Sequence, residues 1–126
     1  MLELQQRVAD RDLSPVKLRL FELLSAPPHG NIQMQVLSND AEAARFAKQI
    51  EAVLESAGWM SNTFSFMYAA MTPFRGAKVS VSKNVPEALT AAQRLISAFR
   101  EVGIPTESLT SDALADGRII VTIGSK

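Results

Sequence analysis

The sequence predicts an α/β (α+β) domain. It is a two-layer sandwich whose four-stranded sheet is built from duplicated strand–helix units in the order β-α-β-β-α-β, preceded by an N-terminal helix. Three observations carry this prediction. Apolar residues switch along the chain between a period of two and a helical period. Capping residues and glycines punctuate each switch. A shift of 45 residues superposes one strand–helix segment on another without a gap.

Residues 1–12 read as a helical extension and residues 13–126 as a single domain. In the extension, Leu4 and Val8 are spaced i, i+4 and form a thin apolar stripe, to which Leu2 adds. Asp10 and Asp12 flank Arg11 and read as a solvated helix face. Ser14-Pro15 then reads as an N-cap followed by proline at the first helical position. Val16, Leu20, Leu23 and Leu24 share one face of the helix that follows, and Pro27-Pro28 with His29-Gly30 ends it.

From Asn31 the period changes to two. Ile32, Met34 and Val36 alternate with Gln33 and Gln35, as in a strand with one buried and one wet face. Ser38-Asn39-Asp40 supplies capping side chains for a helix from about Ala41 to Ala57, and Gly58 is its expected terminator. Thr63 to Tyr68 reads as a strand and Thr72 to Gly76 as a loop. Lys78 to Ser82 reads as another strand, and Pro86 opens a helix that runs to Val102 and stops at Gly103. Thr106 to Gly117 reads as polar and irregular. Ile119 to Ile123 is apolar on both faces, which places this last strand where the sheet has most cover.

The repeat pairs Ile32, Met34 and Val36 with Ala77, Val79 and Val81. It also pairs Asn39 with Asn84, Glu42 with Glu87, and Gly58 with Gly103. Split βαβ geometry accommodates two such units in one sheet with two helices on one face. The alternative is a small three-layer parallel sheet with the N-terminal helix on its second face.

Composition narrows the function classes. Lys plus Arg and Asp plus Glu are each 13, so no whole-molecule field draws in nucleic acid, and none is expected as a partner. There is no cysteine, which removes thiolate chemistry, and the single histidine, His29, sits at a joint between Pro28 and Gly30. No stretch is apolar enough to span a bilayer, so no membrane insertion by this chain is expected. The chain reads as soluble, with the cytoplasm favoured and tethering to a membrane in a longer protein left open. Phosphate loops, nucleophile elbows and zinc-binding helices are absent as motifs. The expectation is therefore a domain with no cofactor, no metal and no catalytic activity of its own.

Candidate contacts remain. Trp59, after a helix-ending glycine, reads as a lid over that helix end. Phe64, Phe66 and Tyr68 fall on alternate positions of one strand. They read as core, or as a stacking surface if they face outward. If the two repeated strands are parallel neighbours, their carboxyl ends lie side by side. Ser38, Asn39, Ser82, Lys83 and Asn84 would then gather where two helices begin, an arrangement that suits a small anion.

The stretch Leu13-Ser14-Pro15 through Gly30, with Asp40-Ala41-Glu42 to Ala57-Gly58-Trp59, resembles an uncharacterised α/β domain of bacterial membrane and coiled-coil proteins. That resemblance implies a partner-binding or sensory module of a larger protein, and it brings no activity with it. Gln33-Met34-Gln35-Val36-Leu37-Ser38-Asn39, ahead of an Ala-rich helix, also looks like the opening of the SPOR peptidoglycan-binding domain, although Leu37 stands where glycine is usual there. That second likeness implies glycan binding. An enzyme subunit with an unrecognised site is a further alternative. A protein partner, or self-association through the N-terminal helix, is the expected interaction.

Overall fold

In a computed structural model, residues 11–27, 29–37, 40–67, 75–110 and 117–124 are described. The expected helix at residues 3–11, with its Leu2, Leu4 and Val8 stripe, lies outside them except for Arg11, which is not helical. A 3₁₀ turn, Ser14–Val16, leads into α1, Lys17–Leu24. The order continues with β1 (Asn31–Leu37), α2 (Ala41–Ser56), β2 (Met60–Met67), β3 (Ala77–Val81), α3 (Pro86–Glu101), β4 (Thr106–Thr110) and β5 (Ile119–Ile123).

Among the described residues the sheet has five strands, not four, in the order β2-β1-β5-β3-β4. The added strand is β4, which falls within the segment expected to be irregular. Its sequence, Thr-Glu-Ser-Leu-Thr, has no apolar alternation because it forms an edge, and all its residues but half-buried Thr106 are exposed. Backbone pairing to β3, not burial, holds it in place. β5 is central, as its composition predicts, with β1 parallel on one side and β3 antiparallel on the other.

The mixed direction excludes the all-parallel alternative. It also corrects the expected pairing of the repeated strands. β1 and β3 are not neighbours: β5 separates them and they run in opposite directions. Two strands can come to lie apart in this way when each pairs outward with its own successor. β1 is parallel to β2, and β3 is parallel to β4.

One face of the sheet carries the core. Ile32, Met34 and Val36 of β1 lie level with Ile119, Val121 and Ile123 of β5. These in turn lie level with Val81, Val79 and Ala77 of β3, and all are buried. Above them pack Phe46, Ile50 and Leu54 of α2 and Leu95 and Phe99 of α3. α1 buries Leu20 and Leu24 against both longer helices, so it thickens the helical layer and does not cover the second sheet face. On that second face Gln33, Gln35, Lys78 and Ser80 are half-buried, and Thr122 donates to the Gln35 amide oxygen at 3.3 Å. By register, Phe64 and Phe66 stand level with Met34 and Val36, the core-facing residues of β1, and not with the glutamines. Tyr68 lies outside the described residues.

The two long helices end alike. After α2, Gly58 (φ +98°) donates to the Glu55 carbonyl and Trp59 to that of Leu54. After α3, Gly103 (φ +90°) donates to Arg100 and Ile104 to Phe99. Each is a Schellman motif, with glycine in the left-handed region and a buried apolar residue after it. A 45-residue shift carries Ala41–Ser56 onto Pro86–Glu101 end for end.

Candidate functional site

The two strands that were to bring the five turn residues together are not neighbours. The carboxyl end of β1 lies at the sheet edge where β5 ends and β3 begins, whereas β3 ends at the opposite edge, beside the start of β5. Ser82, Lys83 and Asn84 therefore follow a strand end opposite to the carboxyl end of β1, and Ser38 and Asn39 lie outside the described residues. Ser82 is fully buried, and its hydroxyl accepts the Asn84 amide at 3.1 Å, which closes a local turn. Lys83 is exposed. The cap of α2 is Asp40, whose carboxylate accepts the Ala43 amide. The cap of α3 is Val85, which makes no side-chain bond, and proline follows in the first turn.

The densest polar constellation lies at the β1 and β5 carboxyl edge, and its centre is Arg11. The Arg11 side chain leaves the lead-in segment and meets Glu42 in the first turn of α2. Nε donates to Oε2 at 2.9 Å and Nη2 to Oε1 at 2.7 Å, while the Arg11 backbone amide also donates to Oε2. Nη2 reaches the Gly124 carbonyl at 2.6 Å, just past β5, and the guanidinium carbon lies 4.5 Å from the centre of the Phe46 ring. Glu42 is the only buried ionisable side chain among the described residues, and a bidentate, charge-assisted pair satisfies it. Asp12, beside Arg11, is exposed, and Asp10 lies outside the described residues. No periodicity marks the Arg11 contact, because its partners are 31 and 113 residues away.

Beside this clasp runs a half-open groove of about 300 Å³, lined by Phe46, Val16, Ile104 and the exposed Arg75 among others. Asp12 flanks it and accepts the Ser14 amide at 3.0 Å, which holds its carboxyl below the usual carboxylate range. Ser14 thus opens a 3₁₀ turn and is not itself the cap expected from the sequence.

A second cluster lies around the C-terminus of α1, where a short helix leaves carbonyls without partners. The Trp59 indole donates to the Leu24 carbonyl at 2.9 Å, and Arg94 donates to Leu23 at 3.3 Å and Pro27 at 2.8 Å. His29 Nε2 is 2.8 Å from the Ser25 carbonyl, and its ring lies 6.2 Å from that of Trp59. Trp59 is thus a lid, but over α1 and not over the helix that precedes it. Gly30 is required beneath it, since a Cβ there would meet the indole at 2.9 Å and Ile119 at 2.6 Å. His29 and Trp59 are both engaged within the scaffold.

Among the described residues no group of three acidic or histidine side chains could hold a metal ion, and no helix is long and apolar enough to cross a membrane. Fold and site together define a two-layer α/β domain with a mixed five-stranded sheet, closed by an arginine–glutamate clasp. Comparison with family models, curated proteins and solved structures finds no match to it.

Proposed function

We propose that this chain is a non-catalytic partner-binding or sensory module of a larger protein. The observation that supports this reading most is the Arg11 clasp. The one buried carboxylate of the described residues holds the domain shut and is not presented to a cavity. The same guanidinium bonds Gly124, so the chain enters and leaves the domain at one edge of the sheet. That arrangement suits a unit hung from other segments by one end, with its remaining surfaces free. The matching helix bounds and matching glycine caps also support an origin by duplication of a strand–helix unit.

The test is site-specific photo-crosslinking of the full-length protein in its own cells, with the reactive residue at exposed positions on α1, α3 and β4. Discrete protein adducts are the expected result. Turnover of ester, phosphoester or glycoside probes by the isolated chain, together with no adduct at any position, would overturn the reading.

A further inference from the structure

The clasp has a counterpart position that no described residue fills. The 45-residue shift carries Glu42, in the first turn of α2, onto Glu87 in the first turn of α3. Glu42 is covered by Arg11. Glu87 is exposed and makes no ion pair or hydrogen bond with any described residue. Around it lies a pocket of about 330 Å³, also lined by His29, Asn31, Val85, Ala88 and Gly117. The correspondence extends to the kinds of group present. Arg11 is held by a carboxylate, by the face of a planar ring (Phe46), and by a glycine just beyond the carboxyl end of β5 (Gly124). The open pocket offers a carboxylate (Glu87), a glycine just before the amino end of β5 (Gly117) and, where the shift itself carries Phe46 onto Ala91, a planar ring from the loop before β1, His29, whose Nε2 is held at the Ser25 carbonyl. Among the described residues no Lys or Arg lines it.

We propose that this pocket binds the guanidinium of an arginine side chain from a partner segment, in the manner that Arg11 occupies the first unit. This rests on the partner-binding reading and names the group by which the partner is held. A guanidinium fits better than an ammonium because its planar fork pairs both carboxylate oxygens and stacks on a ring at once. Glu87 at the start of a helix gives up some favourable dipole interaction when paired, but Glu42 sits at the equivalent position and is paired.

The test is an amide-shift titration of the chain with acetyl-arginine-amide and with an acetylated Ala-Arg-Ala peptide. The citrulline forms of both serve as uncharged isosteres. Expected are saturable shifts at Gly30, Asn31, Glu87, Ala88 and Gly117, at least about tenfold weaker apparent affinity for citrulline, and loss of the shifts in Glu87→Gln. Glu87 is exposed, so Glu87→Gln is expected to fold, and its thermal transition confirms that. Equal response to citrulline, persistence in Glu87→Gln, or no shift at these amides would each overturn the proposal. Crosslinks made elsewhere on the full-length protein would leave the module reading standing while this pocket failed.

Discussion

Trp59 shows how a single side chain joins two elements. It follows the glycine that ends α2, yet its indole satisfies the last carbonyl of α1. Trp59→Phe keeps the ring and removes the donor, leaving a buried carbonyl without its partner. Urea unfolding is expected to show a loss of about 1–3 kcal/mol with an unchanged slope. Glu42 is a harsher case. Arg11→Met leaves a buried carboxylate uncompensated and is expected to cost about 3–5 kcal/mol, while adding Glu42→Leu recovers much of that loss. Near-additive losses in the double variant would show that the pair does not act as a unit. Asp12 adds a pH dependence. The Ser14 amide, and after it the Ser14 hydroxyl, lower its pKa below the ordinary 3.8, so the folded value lies under the unfolded one. The stability it contributes is fully present above the unfolded value and is lost as pH falls through the folded value. Asp12→Asn is therefore expected to be less stable than the parent by a constant amount from neutral pH down to about 4, with the gap closing below that. A gap that widens on acidification would contradict this sign.

The two Schellman glycines separate backbone strain from crowding. A Cβ at Gly103 (φ +90°) would meet nothing within 4 Å, so Gly103→Ala is expected to cost only the left-handed penalty of about 1–2 kcal/mol. At Gly58 (φ +98°) the same Cβ would lie 2.9 Å from His29, which must swing off the Ser25 carbonyl. Gly58→Ala is expected to lose more than Gly103→Ala by thermal melting, and Gly58→Ala in a His29→Ala background should return to the Gly103→Ala value. These caps, the helix stripes and the alternation of β1 and β3 were legible because each is a local pattern tied to one period. β4 was not. Four of its five residues are polar and it lies on an edge with Leu109 exposed, so the signal that marks a strand by its buried face was missing. The 45-residue shift that matches α2 to α3 also carries β2 over β4. The expected pairing of β1 with β3 failed for a different reason. Local pattern located the turns, but sheet order is a non-local outcome, and β5, last in sequence, sits between β1 and β3. The Arg11–Glu42 contact was equally out of reach, because nothing at position 11 marks a partner 31 residues away.

At the scale of the whole molecule, β5 is what makes one domain of two strand–helix–strand units. β1, α2 and β2 form one set of contacts and β3, α3 and β4 another, and within the sheet they meet only through β5. Ile119, Val121 and Ile123 are wholly buried, and each lies level with a buried residue of β1 and one of β3. Fully burying a side chain of this size is worth about 1.5–3 kcal/mol, so these three contribute a sum comparable to the entire stability of a small domain. Without β5, both inner edges of the sheet would present unpaired backbone groups, and the apolar faces beside them would lose their cover. Apart from β5, the chief bridge between the units among the described elements is α1, which buries Leu20 and Leu24. A chain ending at Gly117 is therefore expected to lose both units together and not only the one nearer the cut. It should show no cooperative urea transition, bind a hydrophobic dye and self-associate in sedimentation. Val121→Asp in the complete chain, which places a charge between Met34 and Val79, is expected to give the same loss. If the shortened chain instead kept a sharp transition with protected amides in β1, α2 and β2, the first unit would be an autonomous fold and β5 merely a cover strand.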